Sequence, residues 1–129
     1  SVDKSFMGTR GKKFVFTVPV AACDSVKSAM YEAGAGHFGG YDRQCFQTLG
    51  VAEFRPLTGA KPHIGVPNQL QRVEEYKVEI CCVAECIDAA VAALLHEHPY
   101  ETPYYEVHAV GCSFEFVVPG PSRQIVGNA

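Results

Sequence analysis

The stretch Ala33–Asn68, AGAGHFGGYDRQCFQTLGVAEFRPLTGAKPHIGVPN, decides the fold of this chain of 129 residues. Gly34 and Gly36 end whatever helix precedes them, because glycine enters the left-handed conformation at a helix C-terminus without a Cβ penalty. Gly39-Gly40 then gives the backbone a free hinge. Tyr41–Thr48 reads as a strand, Leu49-Gly50-Val51 as a turn and Ala52–Arg55 as its returning partner, closed by Pro56. The expectation is a glycine-hinged hairpin. Leu57–Gln71 follows as a long loop of alternating Pro, Gly and short apolar residues, and ordered loops of that length are often functional.

Working outward toward the N-terminus, Phe14-Val-Phe-Thr-Val18 is aromatic and β-branched, and Pro19 stops it. Apolar side chains on both faces predict a central strand. From Val20 to Ala33 the period changes. Ala22, Val26, Ala29, Met30 and Ala33 recur at steps of three and four, one face of a helix, with Asp24, Lys27, Ser28 and Glu32 opposite.

Toward the C-terminus, Val73–Val83 alternates. Tyr76, Val78, Ile80 and Cys82 form an inward face, and Glu75, Lys77, Glu79 and Cys81 a wet one. Glu85–Glu97 is an alanine-rich helix with Ile87, Ala90, Val91, Leu94 and Leu95 as its buried stripe, ended by Pro99. Tyr104–Val110 is another strand, and Cys112–Val118 offers a further C-terminal one. Residues 1–12 read as a flexible leader, 13–118 as a single domain and 119–129 as a tail.

The order β-α-β-β-α-β predicts an α+β fold. It is a ferredoxin-like sandwich of one antiparallel sheet with two helices on one face. Such a sheet keeps an edge strand and an open face, which oligomerisation commonly covers.

Composition bounds the function. Net charge is -3 with scattered basic residues, so nothing points to nucleic acid or an anionic membrane. No apolar run approaches the roughly 20 residues of a membrane helix, and no signal peptide is legible, so a cytoplasmic protein is expected. Six cysteines could pair, but Cys81 and Cys82 are adjacent and Cys23, Cys45 and Cys86 fall inside regular elements. Reduced, mostly buried thiols fit that pattern better than a disulfide framework. Paired zinc-type spacings are absent.

Several phrases together resemble a known family. FVFTVP, AMYEAGAGHFGGYDRQCFQTLGVAEFRPLTGAKPHIG, VEEYKVEI and LLHEHPYETPYYEVHAV are similar to the insert domain of the Ngg-interacting-factor-three-like proteins. That domain has a fold of the CutA and PII-signalling-protein type. His98–Pro103, HPYETP, also resembles the HPYEVP phrase of the CutA divalent-ion-tolerance proteins. The resemblance spans about Phe14–Val110. It implies a CutA/PII-like homotrimer with small ligands or metal ions near subunit clefts. In full-length members the insert lies between lobes that carry a two-metal site. Those lobes are outside this sequence, so no residue here inherits a catalytic role from them.

Candidate site residues remain to be weighed. His37 either caps a helix end or joins Tyr41 and Asp42 in a polar pocket where glycines admit a ligand. Arg55 can clamp a carboxylate or phosphate, or pair with Asp42 or Glu53 across the hairpin. His63 sits in the rigid loop Ala60–Gly65, which is either a ligand loop or a self-packed one.

His96 and His98 differ by about 200° on a helix and form no chelate. Past the helix end, His98 can meet Tyr100 and Glu101. His98 with Glu101 would suit a divalent transition metal ion, and otherwise His98 answers the helix dipole. Cys45 near His37 has no third group to complete a nucleophile and reads as packing.

The ligand-binding candidates are therefore His37, Tyr41, Asp42, Arg55, His63 and Tyr100, and the metal candidates His98 and Glu101, with no catalytic group. The expected function is a regulatory module binding a small ligand or metal. The alternatives are a small metal-dependent hydrolase and a subunit docking on a metal-bearing partner.

Overall fold

The computed structural model describes residues 11–37, 39–111, 116 and 118–120. Four strands and two helices follow in the order β1 (Gly11–Pro19), α1 (Cys23–Glu32), β2 (Phe46–Phe54), β3 (Gln71–Val83), α2 (Ile87–Glu97) and β4 (Tyr105–Ala109). A short 3-10 turn leads into each helix, at Val20–Ala22 and Ala84–Cys86. The sheet is antiparallel throughout with strand order β2-β3-β1-β4. The architecture is the ferredoxin-like βαββαβ sandwich that the order of elements implies.

β1 is central because both its faces are apolar enough to be covered. Phe14, Phe16 and Val18 point to the helices and are fully buried. They join Val78, Ile80 and Cys82 of β3, Cys23, Val26 and Met30 of α1, and Ala90 and Leu94 of α2 in one core. The helices pack side by side on that face. Cys23 enters the stripe of α1 because the 3-10 turn delays the helix start to that residue. On α2 the stripe is narrower than the periodicity suggests, and Leu95 is largely exposed.

The central stretch corrects one expectation. β2 is a single strand through Gly50, with no turn at Leu49-Gly50-Val51 and no returning strand at Ala52–Arg55. Its partner is β3, in the register Phe46↔Glu79, Gly50↔Glu75 and Phe54↔Gln71. Gly50 keeps the extended geometry and lies over the backbone of Glu75. A two-stranded ribbon is marginal by itself, whereas the long β3, itself paired to β1, offers β2 a continuous antiparallel partner over its whole length. The hairpin is thus β2–β3, and the long loop at 55–70 is its connection.

Gly34 adopts φ +107° and Gly36 φ +88°, as the end of α1 requires. The N–H of Gly36 donates to Cys81 O at 2.8 Å, tying this turn to β3. The proposed strand at Cys112–Val118 and the leader and tail segments fall largely outside the described residues. The described cysteines Cys23, Cys45, Cys81, Cys82 and Cys86 are free thiols. Among the described residues no helix is long and apolar enough to cross a membrane.

Candidate functional site

Residues directly opposite in a sheet share a face, so the register sorts the side chains. Thr17, Glu75, Ala52 and Phe54 all lie on the face away from the helices. At the end of β2 that face is roofed. The loop that begins at Arg55 folds back over it, and the segment after α2 meets the loop from the other side. Between roof and sheet lies a cavity of about 490 Å³. Phe54, Arg55, His63, Glu75, Tyr100 and Glu101 are among the residues that line it.

The loop is closed on itself and tied to the segment. The backbone N–H of Asn68 donates to Pro56 O at 2.5 Å, and its side-chain amide donates to Thr58 Oγ1 at 2.9 Å. The N–H of Lys61 donates to Glu101 Oε1 at 3.2 Å, joining the roof to the segment after α2. Pro56 is buried, and Asn68 takes a left-handed φ of 67°, which asparagine tolerates better than most residues. The loop is therefore closed at its base and joined to the segment after α2 at Lys61, with Leu57, Val66 and Leu70 left exposed.

The floor of the cavity is polar. Glu75 is 3% exposed, and the Tyr100 hydroxyl donates to its Oε2 at 2.6 Å. Burial, with the contact to Glu75 added, pushes the Tyr100 phenol well above its ordinary value. The ring of Tyr100 packs edge-on against Phe54, with centroids 5.9 Å apart, and lies 6.1 Å from His63 and 5.1 Å from His98.

His98 is the hinge of this arrangement. Pro99 ends α2, and His98 turns to extended geometry with its N–H still donating to Leu94 O at 2.9 Å. The ring is 5% exposed. Nδ1 accepts the N–H of Tyr100 at 3.2 Å, so Nε2 carries the proton and donates it to Thr17 O at 2.8 Å. Burial lowers the His98 pKa below its ordinary value, only partly opposed by the bond to Thr17 and by Glu75. The neutral imidazole thus pins the segment carrying Tyr100 to β1.

Of the residues singled out from the sequence, the structure brings Arg55, His63, Tyr100 and Glu101 to one cavity. His98 stands behind it. His37, Tyr41 and Asp42 lie beyond the opposite end of β2, about 27 Å away along a strand of nine residues. Tyr41 is 72% exposed there. That end is organised by Arg43, which pairs with Glu32 at 3.0 Å and lies 5.6 Å over the Tyr31 ring.

Arg55 does not pair as either internal reading supposed. Glu53 is taken by Arg72 at 2.5 Å, on the adjacent strand, and Asp42 is at the far end. Among the described residues no hydrogen bond or ion pair engages the Arg55 guanidinium. His98 and Glu101 do not form a metal pair in this geometry, because both ring nitrogens of His98 are committed to backbone groups. No cluster of three or more potential metal ligands occurs among the described residues.

Glu75, Phe54 and Thr17 were not among the residues marked from the sequence. Glu75 belongs by periodicity to the wet-face positions of β3, and it is buried where Tyr100, on the segment after α2, meets it. The available signal was the loop itself, whose Pro and Gly content implies packing against some part of the sheet.

Comparison with known proteins adds to this picture. No protein-family model matches the chain. A protein of Bacillus subtilis (strain 168) named GTP cyclohydrolase 1 type 2 homolog is 36% identical over 99 residues, 77% of this chain and 26% of its own. A protein of the same name from Halalkalibacterium halodurans is 38% identical over 96 residues, 74% of this chain and 26% of its own. A solved Bacillus cereus protein related to NIF3 superposes with TM-score 0.68 and 34% identity, over 81% of this chain and 27% of that one.

The chain is homologous to one domain of the NIF3-related proteins. It spans about a quarter of the length of these relatives. CutA from Xylella fastidiosa shares the fold of this NIF3-like domain at TM-score 0.59 and 16% identity, covering 82% of this chain and 88% of that one. The Bacillus cereus likeness shows that the domain architecture recurs within a larger NIF3-related chain. The CutA likeness shows that nearly the same architecture also makes up most of a small protein.

Proposed function

We propose that this NIF3-like domain is a small-ligand-binding regulatory module that works as a homo-oligomer, a trimer, and that its ligand occupies the cavity under the long loop. One observation carries the reading: a polar-floored, aromatic-walled cavity of about 490 Å³ beneath a loop too long to serve only as a connection. Ligand sites have this character, mostly apolar walls with a few convergent polar groups, and this volume. Trimer formation is supported by the CutA-like fold and by the uncovered part of the sheet. Phe46, in register with Glu79 and so on the face away from the helices, is 65% exposed. A cytoplasmic setting agrees with the free thiols.

The hydrolase alternative has less support. It needs His37, His63 or His98 around a metal, but His37 lies at the other end of β2 and His98 has both nitrogens engaged. Small-fragment screening by amide chemical-shift mapping tests the site, and native mass spectrometry of the same sample tests the assembly. Fragments that perturb Phe54, His63 and Tyr100 are expected. Fragments that collect only around Tyr41, or none at all, would sink the site, and a monomer at micromolar concentration would sink the trimer.

A further inference from the structure

Among the described charged side chains that line the cavity, Glu75 is the buried acid and Arg55 the one base, and neither has a counter-ion at hand. Glu75 is buried, and its partner is the neutral hydroxyl of Tyr100. Among the described residues no Lys or Arg nitrogen lies within ion-pair distance of it. The neighbouring imidazole of His98 is kept neutral by burial and donates its one N–H to Thr17. Arg55 is its opposite in sign, an exposed guanidinium at the cavity's edge with no acid engaging it. A buried carboxylate with no cation beside it is costly, and a ligand that supplies the cation relieves the cost.

The two charges are also well separated. Gly50 is opposite Glu75, and Arg55 lies five residues farther along the chain from Gly50. At the rise of a strand that is about 17 Å between backbones, shortened by the reach of both side chains. Between them run the rings of Phe54 and Tyr100. An α-amino acid, with both charges on one carbon, leaves no body to lie along these rings. The other two acids of the lining are exposed to solvent. Glu53 is held by Arg72, and Glu101 accepts only the backbone N–H of Lys61. A bare metal ion does not fit either, since hard cations need six or more oxygen ligands and no ligand cluster occurs among the described residues.

Resting on the small-ligand reading above, we infer that the ligand is elongated and amphoteric. An amine- or amidine-type head donates N–H to Glu75, a flat body lies along Phe54 and Tyr100, and an acidic tail reaches Arg55. Aromatic walls favour such a cationic head as well, through the ring quadrupole.

The test is calorimetric titration of the whole chain with probes that share one ring. They are para-(aminomethyl)benzoate, benzylamine, which lacks the acid, and para-methylbenzoate, which lacks the amine. The amphoteric probe is expected to bind at least about tenfold more tightly than either half, about 1.4 kcal/mol. Arg55→Gln should reduce it to the affinity of benzylamine, and Glu75→Gln to that of para-methylbenzoate.

If Glu75→Gln does not fold, para-(hydroxymethyl)benzoate on the unaltered protein replaces that arm, and it should bind as weakly as para-methylbenzoate. Equal affinities across the probes would overturn the inference. So would failure of all of them to bind while other fragments still perturb Phe54 and Tyr100, although the cavity would then stand as a site. If neither probes nor fragments perturb the cavity, the inference and the small-ligand reading fall together.

Discussion

Tyr100 shows how much rests on one hydroxyl. It is the hydrogen-bond donor to a carboxylate that is only 3% exposed. Tyr100→Phe keeps the ring packing against Phe54 and removes the donor alone. Leaving a buried acceptor without its partner costs about 1–3 kcal/mol, and urea unfolding at neutral pH should show a loss of that size. A loss within a few tenths would mean that water replaces the hydroxyl.

His98 makes a prediction about pH. Its folded pKa lies below the unfolded value of 6.5, so between the two values the unfolded chain takes up a proton that the folded one refuses. Stability is therefore full above pH 6.5, falls as pH drops through it, and levels off below the folded pKa. His98→Gln should flatten this part of the profile in urea titrations between pH 5 and 8, whatever it does to stability at pH 8. Glu79 does not contaminate that window. Hydrogen bonding from Lys13 holds its carboxyl below the ordinary 4.5, so its contribution is lost only as pH falls below 4.5.

At the scale of elements, the end of α1 is a place where chain geometry and close packing act together. A Cβ on Gly34 would meet Cys86 Sγ at 2.6 Å, and the backbone φ there is +107°. Gly59 has φ +93° but open space around its Cβ position. Gly59→Ala should cost only the backbone strain, of order 1 kcal/mol. Gly34→Ala should cost clearly more, and adding Cys86→Ala should recover part of the difference but not the strain, since the Cβ of residue 86 stays at 3.1 Å. Thermal or urea melts of the three variants check this ordering. Equal losses at the two glycines would show that Cys86 moves aside freely.

β2 carries the lesson about local signals. Gly50 and its flanking apolar residues suggested a turn, yet the segment is one continuous strand. A glycine permits a turn but does not impose one, and β3 pairs with β2 along all nine residues, satisfying the backbone groups that face it. Tertiary pairing won over a local preference.

At the scale of the molecule, the sheet has two differently covered faces. The helices bury one, and the long loop roofs only one end of the other. Phe46 lies on the uncovered part in register with Glu79. If the domain assembles through this face, as proposed, Phe46→Glu should shift native mass spectra or sedimentation profiles from oligomer to monomer while the circular dichroism of the fold persists. Retention of the oligomer would place the contact elsewhere. Because the roofed and open ends belong to one face, assembly would bring neighbouring subunits near the cavity, so ligand titrations of the monomeric variant would report whether the two are coupled.

The sequence by itself determined the fold class, the core-facing positions of β1 and β3, most of those on the two helices, and the C-terminal end of each helix. Those features depend on interactions within a few residues: a period of two or near three and a half, and the conformations open to glycine and proline. It also carried Arg55, His63, Tyr100 and Glu101, since loops rich in constrained residues must be packed somewhere. Only the tertiary structure decided where. It separated His37, Tyr41 and Asp42 from the others by the length of a strand, turned the His98 nitrogens toward backbone groups, and buried Glu75. Each outcome depends on which segment crosses which face of the sheet. That is settled by contacts between residues far apart in the chain, such as Thr17 with His98 and Glu75 with Tyr100, and no local pattern encodes them.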